Sequence, residues 1–310
     1  MALALSERPV GLNRGVRVDM DYQRLPVDQS DVWYRHGPDS VPQPGVPRGS
    51  TTEMGWSQST IYAGTTRRFW VHVPSAHDSS RAANVAVFQD GWWYLDPDGQ
   101  IRGGIVLDNL VHRGQIPVTI GIFVNPGART GAEHSTQRNV EYDAFDDRYA
   151  AFLMTEILPE VASRWSLHDD PGRRLIAGGS SGGNCAFTAA WHRPDWFGHV
   201  FCSLSSFVQM PGGNPYPALI PVTPRKPVRI FMHAAHRDLQ WNQHRENWLA
   251  ENLRVAAALA EAGHDFRLVL GDGGHTPIHT GVVLPDALRS HWLSQVDRSG
   301  SKKPDESPVA

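Results

Sequence analysis

The sequence predicts an α/β fold, a mostly parallel central sheet with helices on both faces. Two observations predict it. Short apolar runs alternate with helical patterns from about residue 84 onward, the order of a sheet built from crossover units. Within that alternation, a glycine-rich turn at 178–183 joins one apolar run to a helix of small residues.

The elements follow in order. Residues 1–50 are rich in Pro, Gly and Asp with little periodicity, and read as an irregular arm wrapping the domain or a neighbouring subunit. Residues 61–74, IYAGTTRRFWVHVP, alternate and end at proline, the pattern of a strand pair. Residues 84–89, NVAVFQ, read as a buried strand feeding a functional loop at Asp90-Gly91. A helix is expected at 105–113 and another buried strand at 116–124. Between 146 and 165, Tyr149, Phe152, Leu153, Ile157 and Val161 recur at helical spacing. A strand at 174–177 enters the glycine turn, and a helix runs on to about 192. Further strands are expected at 200–204, 228–232 and 266–270, with helices at about 246–262 and 283–293. No internal repeat or interdomain linker interrupts this order, so 51–295 reads as one catalytic domain and 296–310 as a disordered polar tail.

Composition bounds the partners. A chain of 310 residues buries a sizeable core. Its net charge of -3 supplies no basic field for nucleic acid or anionic membrane. It also lacks the run of about 18 apolar residues that a membrane span needs. Neither nucleic acid nor a membrane is therefore the expected partner, and the long arm permits a homodimer. The start, MALALSERPVGLNRG, has no basic n-region, long apolar core or cleavage site. With only two cysteines, Cys185 and Cys202, a reducing, cytoplasmic location is expected. Both read as small buried hydrophobes. Fifteen histidines and eleven tryptophans either line a site or fill surface and core.

The chemistry centres on Leu175-Ile-Ala-Gly-Gly-Ser-Ser-Gly-Gly-Asn-Cys-Ala-Phe187. A strand, a sharp turn and a helix form the context of a Gly-x-Ser-x-Gly nucleophile elbow. Glycines are needed because the turn is strained and the helix packs against the strand. Two registers exist: Gly178-Gly-Ser180-Ser-Gly182 and Gly179-Ser-Ser181-Gly-Gly183. Ser180 is preferred, since it leaves Gly182-Gly183 two and three positions behind the nucleophile. The competing reading is a tight structural turn or a phosphate cradle.

In a fold with this elbow the acid and then the histidine follow the serine in chain order. Gly271-Asp-Gly-Gly-His275 follows the strand at 266–270, which makes His275 the candidate base, with His279 as alternative. Imidazole suits the role because its ordinary pKa of about 6.5 lets it take and return a proton near neutrality. Asp238 lies past the strand at 228–232 and is the candidate acid, with Glu246 and Asp272 as rivals. The oxyanion hole needs two backbone N–H groups. One is expected from Ser181 and the other from Trp92, with Gly91 close behind. The aromatic run Trp92-Trp93-Tyr94 walls the pocket or merely packs.

These residues resemble a known family. Gly178-x-Ser180-x-Gly182-Gly183, Phe88-Gln-Asp-Gly91, Arg138-Asn-Val-Glu-Tyr142 and Gly271-Asp-Gly-Gly-His275 are similar to motifs of the putative-esterase family. That family includes enterochelin esterases and esterase D-like enzymes, and feruloyl and acetylxylan esterases are similar to it. The resemblance covers roughly 55–295. It implies an α/β-hydrolase fold and hydrolysis of a carboxylic ester without a cofactor, of a small-molecule aryl, sugar or siderophore-like substrate. It also favours Ser180 over Ser181 and places Arg138 and Glu141 near the active site, as substrate-binding residues or as members of an internal salt bridge. One segment departs from the pattern: relatives often carry Gly-x-x-Asp before the acid, whereas this chain has His233-Ala-Ala-His236-Arg-Asp238, with His244 following.

Three other functions fit less of the sequence. An acyltransferase shares the architecture but needs a second alcohol. A metallohydrolase would use the ligand-like spacing of His233-x-x-His236 and His275-x-x-x-His279, yet no metal helix or cysteine cluster accompanies it. A catalytically inactive binding protein would have no reason to keep the Ser, Asp and His set.

Overall fold

The structure, a computed structural model, describes residues 32–132, 135 and 137–300, with side chains as far as residue 292. Most of the expected arm (1–31) and the last ten residues of the expected tail (301–310) lie outside the described residues.

An extended segment with one short 3-10 turn, Pro38–Ser40, leads into β1 (Ser50–Trp56) and β2 (Thr65–Val73). Then come β3 (Asn84–Gln89), α1 (Gly91–Leu95), α2 (Gly103–His112), β4 (Thr119–Val124), the two-residue β5 (Ala128–Arg129) and α3 (Arg138–Tyr142). A helix follows in three parts: α4 (Arg148–Phe152), a π turn (Leu153–Ile157) and α5 (Leu158–Ala162). The remainder is β6 (Arg174–Gly179), α6 (Ser181–His192), β7 (His199–Ser203), α7 (Tyr216–Leu219), β8 (Arg229–Ala235), α8 (Trp248–Glu261), β9 (Phe266–Gly271) and α9 (Pro277–Gly300). The sheet order is β1-β2-β4-β3-β6-β7-β8-β9, with β5 pairing β2 off this path. The β1–β2 and β2–β4 pairs are antiparallel, and every pair from β4 to β9 is parallel.

Burial follows the period-2 rule of strands. Val85 and Val87 of β3 join one core layer with Phe152, Ile157, Phe187 and Leu259. Ala86 and Phe88 face the other layer with Leu107, Leu110, Leu288 and Trp292. Helices α4, α5, α6 and α8 thus cover one face, and α1, α2 and α9 the other.

β1, α9 and the segment 61–74 differ from the sequence expectation; 61–74 holds one long strand, β2, rather than a strand pair, because β2 pairs with β1. β1 was not anticipated: STTEMGW is mostly polar, as an edge strand with one solvated face is. α9 begins at Pro277 rather than 283, because Thr276-Pro277 is a helix start of the Pro-at-N1 kind. It also runs to Gly300, five residues into the expected tail. Extending an established helix costs little even without apolar residues.

Candidate active site

The parallel strands deliver their loops to one edge, and the candidate residues lie on the loops after β3, β6, β8 and β9. The elbow follows β6. Ser180 has φ 59° and ψ -128°, a region costing a non-glycine residue about 1–3 kcal/mol. Glycines let the chain close around it. A Cβ on Gly178 would lie 2.2 Å from the Gly182 carbonyl oxygen, and one on Gly183 would lie 2.6 Å from Ser205 Oγ. The strained residue is held by its own backbone: Ser180 N–H donates to Ser203 O (2.9 Å), and Ser180 O accepts from Gly183, Asn184 and Ser206 N–H (3.0, 3.1 and 3.2 Å). Ser180 is partly exposed and Ser181 is buried. Ser181 Oγ donates to Asp143 Oδ2 at 3.2 Å. The two serines are thus placed differently: the Ser180 side chain has access to solvent, whereas the Ser181 hydroxyl is committed inward.

After β8 the chain turns, with Asp238 N–H donating to Ala235 O, and buries the Asp238 side chain completely. Asp238 Oδ1 accepts from Leu239 N–H (2.7 Å) and from His275 Nδ1 (2.6 Å). A carboxylate only accepts, so Nδ1 carries a proton, and in the neutral ring the lone pair is then on Nε2. His275 is 21% exposed along its side chain, and its ring meets Trp248 edge-on at 4.9 Å. Two backbone bonds tie the acid's loop to the histidine's loop: His236 N–H to Gly271 O (2.8 Å) and Arg237 N–H to Gly273 O (2.9 Å). The rivals sit elsewhere. Glu246 is exposed and accepts from Gln240. His279 is buried with both ring nitrogens unpartnered. The ligand-spaced His233 bonds Ser203 Oγ through Nδ1 at 2.8 Å.

The loop after β3 carries the other candidates. Asp90 has φ 52°, and a Cβ on Gly91 would lie 2.3 Å from the Phe123 carbonyl carbon, so the chain passes directly over β4. Arg138 grips Asp90 bidentately, Nε to Oδ1 and Nη2 to Oδ2, both 2.7 Å. Burial pushes the Asp90 carboxyl upward against the pull of Arg138. Arg138 also lies over the half-exposed Trp93 ring at 5.7 Å. It therefore fixes this loop as well as bordering the site. The Trp92 N–H donates to Asn125 Oδ1 (3.0 Å), so a substrate oxyanion has to displace Asn125 to use it. Trp92 packs on Trp70 at 5.4 Å. Both line a cavity of about 790 Å³ with Leu95, Ile105, Arg48 and Arg102.

Of the two readings of Glu141, the structure shows the internal salt bridge. The Glu141 side chain is completely buried and paired bidentately with Arg67 (2.7 and 3.0 Å), and it accepts from Gly127 N–H. All its acceptor capacity faces the interior, so it has none to offer a substrate. The residue of that segment that reaches the elbow is Asp143, which sequence reasoning missed. It accepts from Asn139 Nδ2 (2.7 Å), Ser206 Oγ (3.0 Å) and Ser181 Oγ (3.2 Å). No spacing signal marks it, because its partners come from three separate elements.

Comparison with known proteins identifies the family and the fold. The family described as Putative esterase matches residues 59–279. The iron(III) enterobactin esterase of Dickeya dadantii (strain 3937) is 23% identical over 257 residues, covering 78% of this chain and 54% of the relative. The chain thus spans about half the length of that curated relative. Among solved structures, the enterobactin esterase FES from Shigella flexneri in the presence of enterobactin superposes with a TM-score of 0.67 at 21% identity, over 83% of this chain and 62% of that one. A ferulic acid esterase superposes with a TM-score of 0.63 at 18% identity, over 79% of this chain and 99% of that one. The shared architecture is the α/β-hydrolase fold.

Proposed function

The chain belongs to the putative-esterase family, and from that premise we propose that it hydrolyses a carboxylic ester by a double displacement on Ser180. The observation that carries the reading is the 2.6 Å bond from His275 Nδ1 to a fully buried Asp238. It fixes the tautomer a general base requires and stabilises the imidazolium that forms.

Ser180 Oγ attacks the ester carbonyl as its proton passes to His275 Nε2. The Ser181 N–H, at the first turn of α6 where helix amides lack intrahelical partners, receives the oxyanion. The Trp92 N–H joins it once Asn125 Oδ1 is displaced. His275 then returns the proton to the departing alcohol, and a water activated by the same imidazole clears the acyl-enzyme. Arg138 acts by holding the Asp90–Trp93 turn. The half-exposed Trp92 and Trp93 rings suit a substrate with an aryl, sugar or siderophore-like face. The activities for which the relatives are named, enterobactin and ferulic acid ester hydrolysis, support the siderophore-like and aryl members of that set.

The test is hydrolysis of short-chain p-nitrophenyl esters by wild type, Ser180→Ala and Ser181→Ala, with and without chelator. Activity is expected to fall by about 10³-fold or more only in Ser180→Ala, with no chelator effect. Turnover surviving in Ser180→Ala would move the nucleophile elsewhere.

A further inference from the structure

We propose that Tyr34, from the extended segment before β1, is a positioning residue for His275. The inference rests on the reading of His275 as general base. Among the described residues β9 is the last strand of the sheet and pairs with β8 alone, so its outer edge has no strand partner there. On the inner side, Gly271 O and Gly273 O are taken by the His236 and Arg237 amides of the acid's loop. On the other side, the Asp272 N–H donates to Tyr34 Oη at 2.9 Å. Three consecutive residues leading to His275 are thereby held from both sides, and one of the holds is a side chain 238 positions away.

The rest of the segment supports that hold. Residues 32–36 alternate in exposure, with Val32, Tyr34 and His36 less exposed than Trp33 and Arg35. A Cβ on Gly273 would lie 3.5 Å from Val32 Cβ and 3.1 Å from His279 Nε2, so the turn lies directly on both. Gly273 itself has φ 87°, a conformation glycine adopts freely. The Tyr34 ring meets the buried His279 edge-on at 4.0 Å. Farther along, His36 Nε2 donates to Gln100 O at 2.9 Å, and Asp39 pairs with Arg113 and Arg289. The segment is therefore anchored beyond Tyr34 and does not depend on it for its path. Tyr34 Oη completes the hydrogen bonding of an edge loop whose last residue must present Nε2 at a fixed angle.

The experiment is Tyr34→Phe in the full chain, which keeps the ring against His279 and removes only the acceptor. Expected are a 3- to 10-fold fall in kcat for a p-nitrophenyl ester, the size of one lost hydrogen bond, KM within twofold, and faster deuterium exchange confined to the Asp272 amide and its neighbours. Trp33→Phe, on the exposed side, is expected to change neither. A kcat within twofold of wild type overturns the proposal, as does a raised KM at unchanged kcat. Loss of exchange protection across the whole sheet also overturns it, because Tyr34 would then hold the fold rather than the loop. The exchange measurement needs no turnover, so failure of the esterase reading, seen as no activity or as activity surviving in Ser180→Ala, is read separately.

Discussion

At the scale of single residues, burial separates side chains that border the candidate site from those sealed in the core behind it. Glu141 and Arg138 come from one five-residue helix, yet Glu141 is sealed against Arg67 while Arg138 reaches Asp90 beside the site. Glu141→Gln leaves the Arg67 guanidinium buried without its counter-charge, a change that costs about 3–5 kcal/mol. The expected result is a lower urea midpoint with kcat and KM of the folded enzyme unchanged within twofold. A raised KM at unchanged stability would return Glu141 to the substrate. Ser180, His275 and Asp238 were legible in the sequence because each follows a recognisable strand and has a chemical role tied to its type. Asp143, Asn125 and Tyr34 were not, since they act through partners far away in the chain. Glu141 stayed open between two readings for the same reason: nothing local announces that Arg67 lies opposite.

At the scale of elements, legibility followed burial. Strands β3, β4, β6, β7 and β8 are covered on both faces, so each reads as an apolar run. β1 has one buried residue, Met54, and leaves no such trace. The five-residue α1 and α3 are too short for a 3.6-residue period to show. The elbow was legible because its glycines answer a steric demand that few other turns make. Gly178→Ala places Cβ against the Gly182 backbone at 2.2 Å, and backbone cannot rotate away as a side chain would. A destabilisation of about 3 kcal/mol or more is expected, seen as loss of soluble protein or a large fall in Tm. Gly55→Ala in β1 is the control: nothing lies within 4 Å of its Cβ, and replacing a strand glycine by alanine is expected to be neutral or to stabilise by about 0.5–1 kcal/mol. Equal effects at the two positions would mean that the elbow is not sterically closed.

At the scale of the whole molecule, the abundance of histidine becomes a statement about acid stability. Composition left two uses for these residues, lining a site or filling the core, and six of the described ones are buried, His72 and His264 together with four that meet in pairs: His199, His233, His279 and His291. They form two pairs, His199 with His291 at 5.2 Å near the starts of the strands and His233 with His279 at 5.7 Å near their ends. Burial pushes His199 and His279 down to about 4 and His233 to about 3, and drives His291 well below its usual value. Within each pair, a charge on one ring opposes a charge on the other. The unfolded chain binds these protons near pH 6.5, whereas the folded chain refuses them until much lower pH. Stability is therefore fully present above about pH 6.5 and is lost as pH falls toward 4, by up to about 1.4 kcal/mol per pH unit for each histidine. Asp90 and Glu141, whose carboxyls burial raises, take up protons in the fold first and oppose this loss, and Glu156, whose carboxyl is lowered in the fold, adds to it only below its unfolded value near 4.5, so a fall between pH 6.5 and 5 comes from the histidines. Urea midpoints measured at pH 7.5, 6.0 and 5.0 are expected to fall steeply over the last two. His291→Gln, which removes one titrating ring, should make that fall shallower. A midpoint that stays constant down to pH 5 would mean that these imidazoles reach water and bind protons without unfolding the sheet between them.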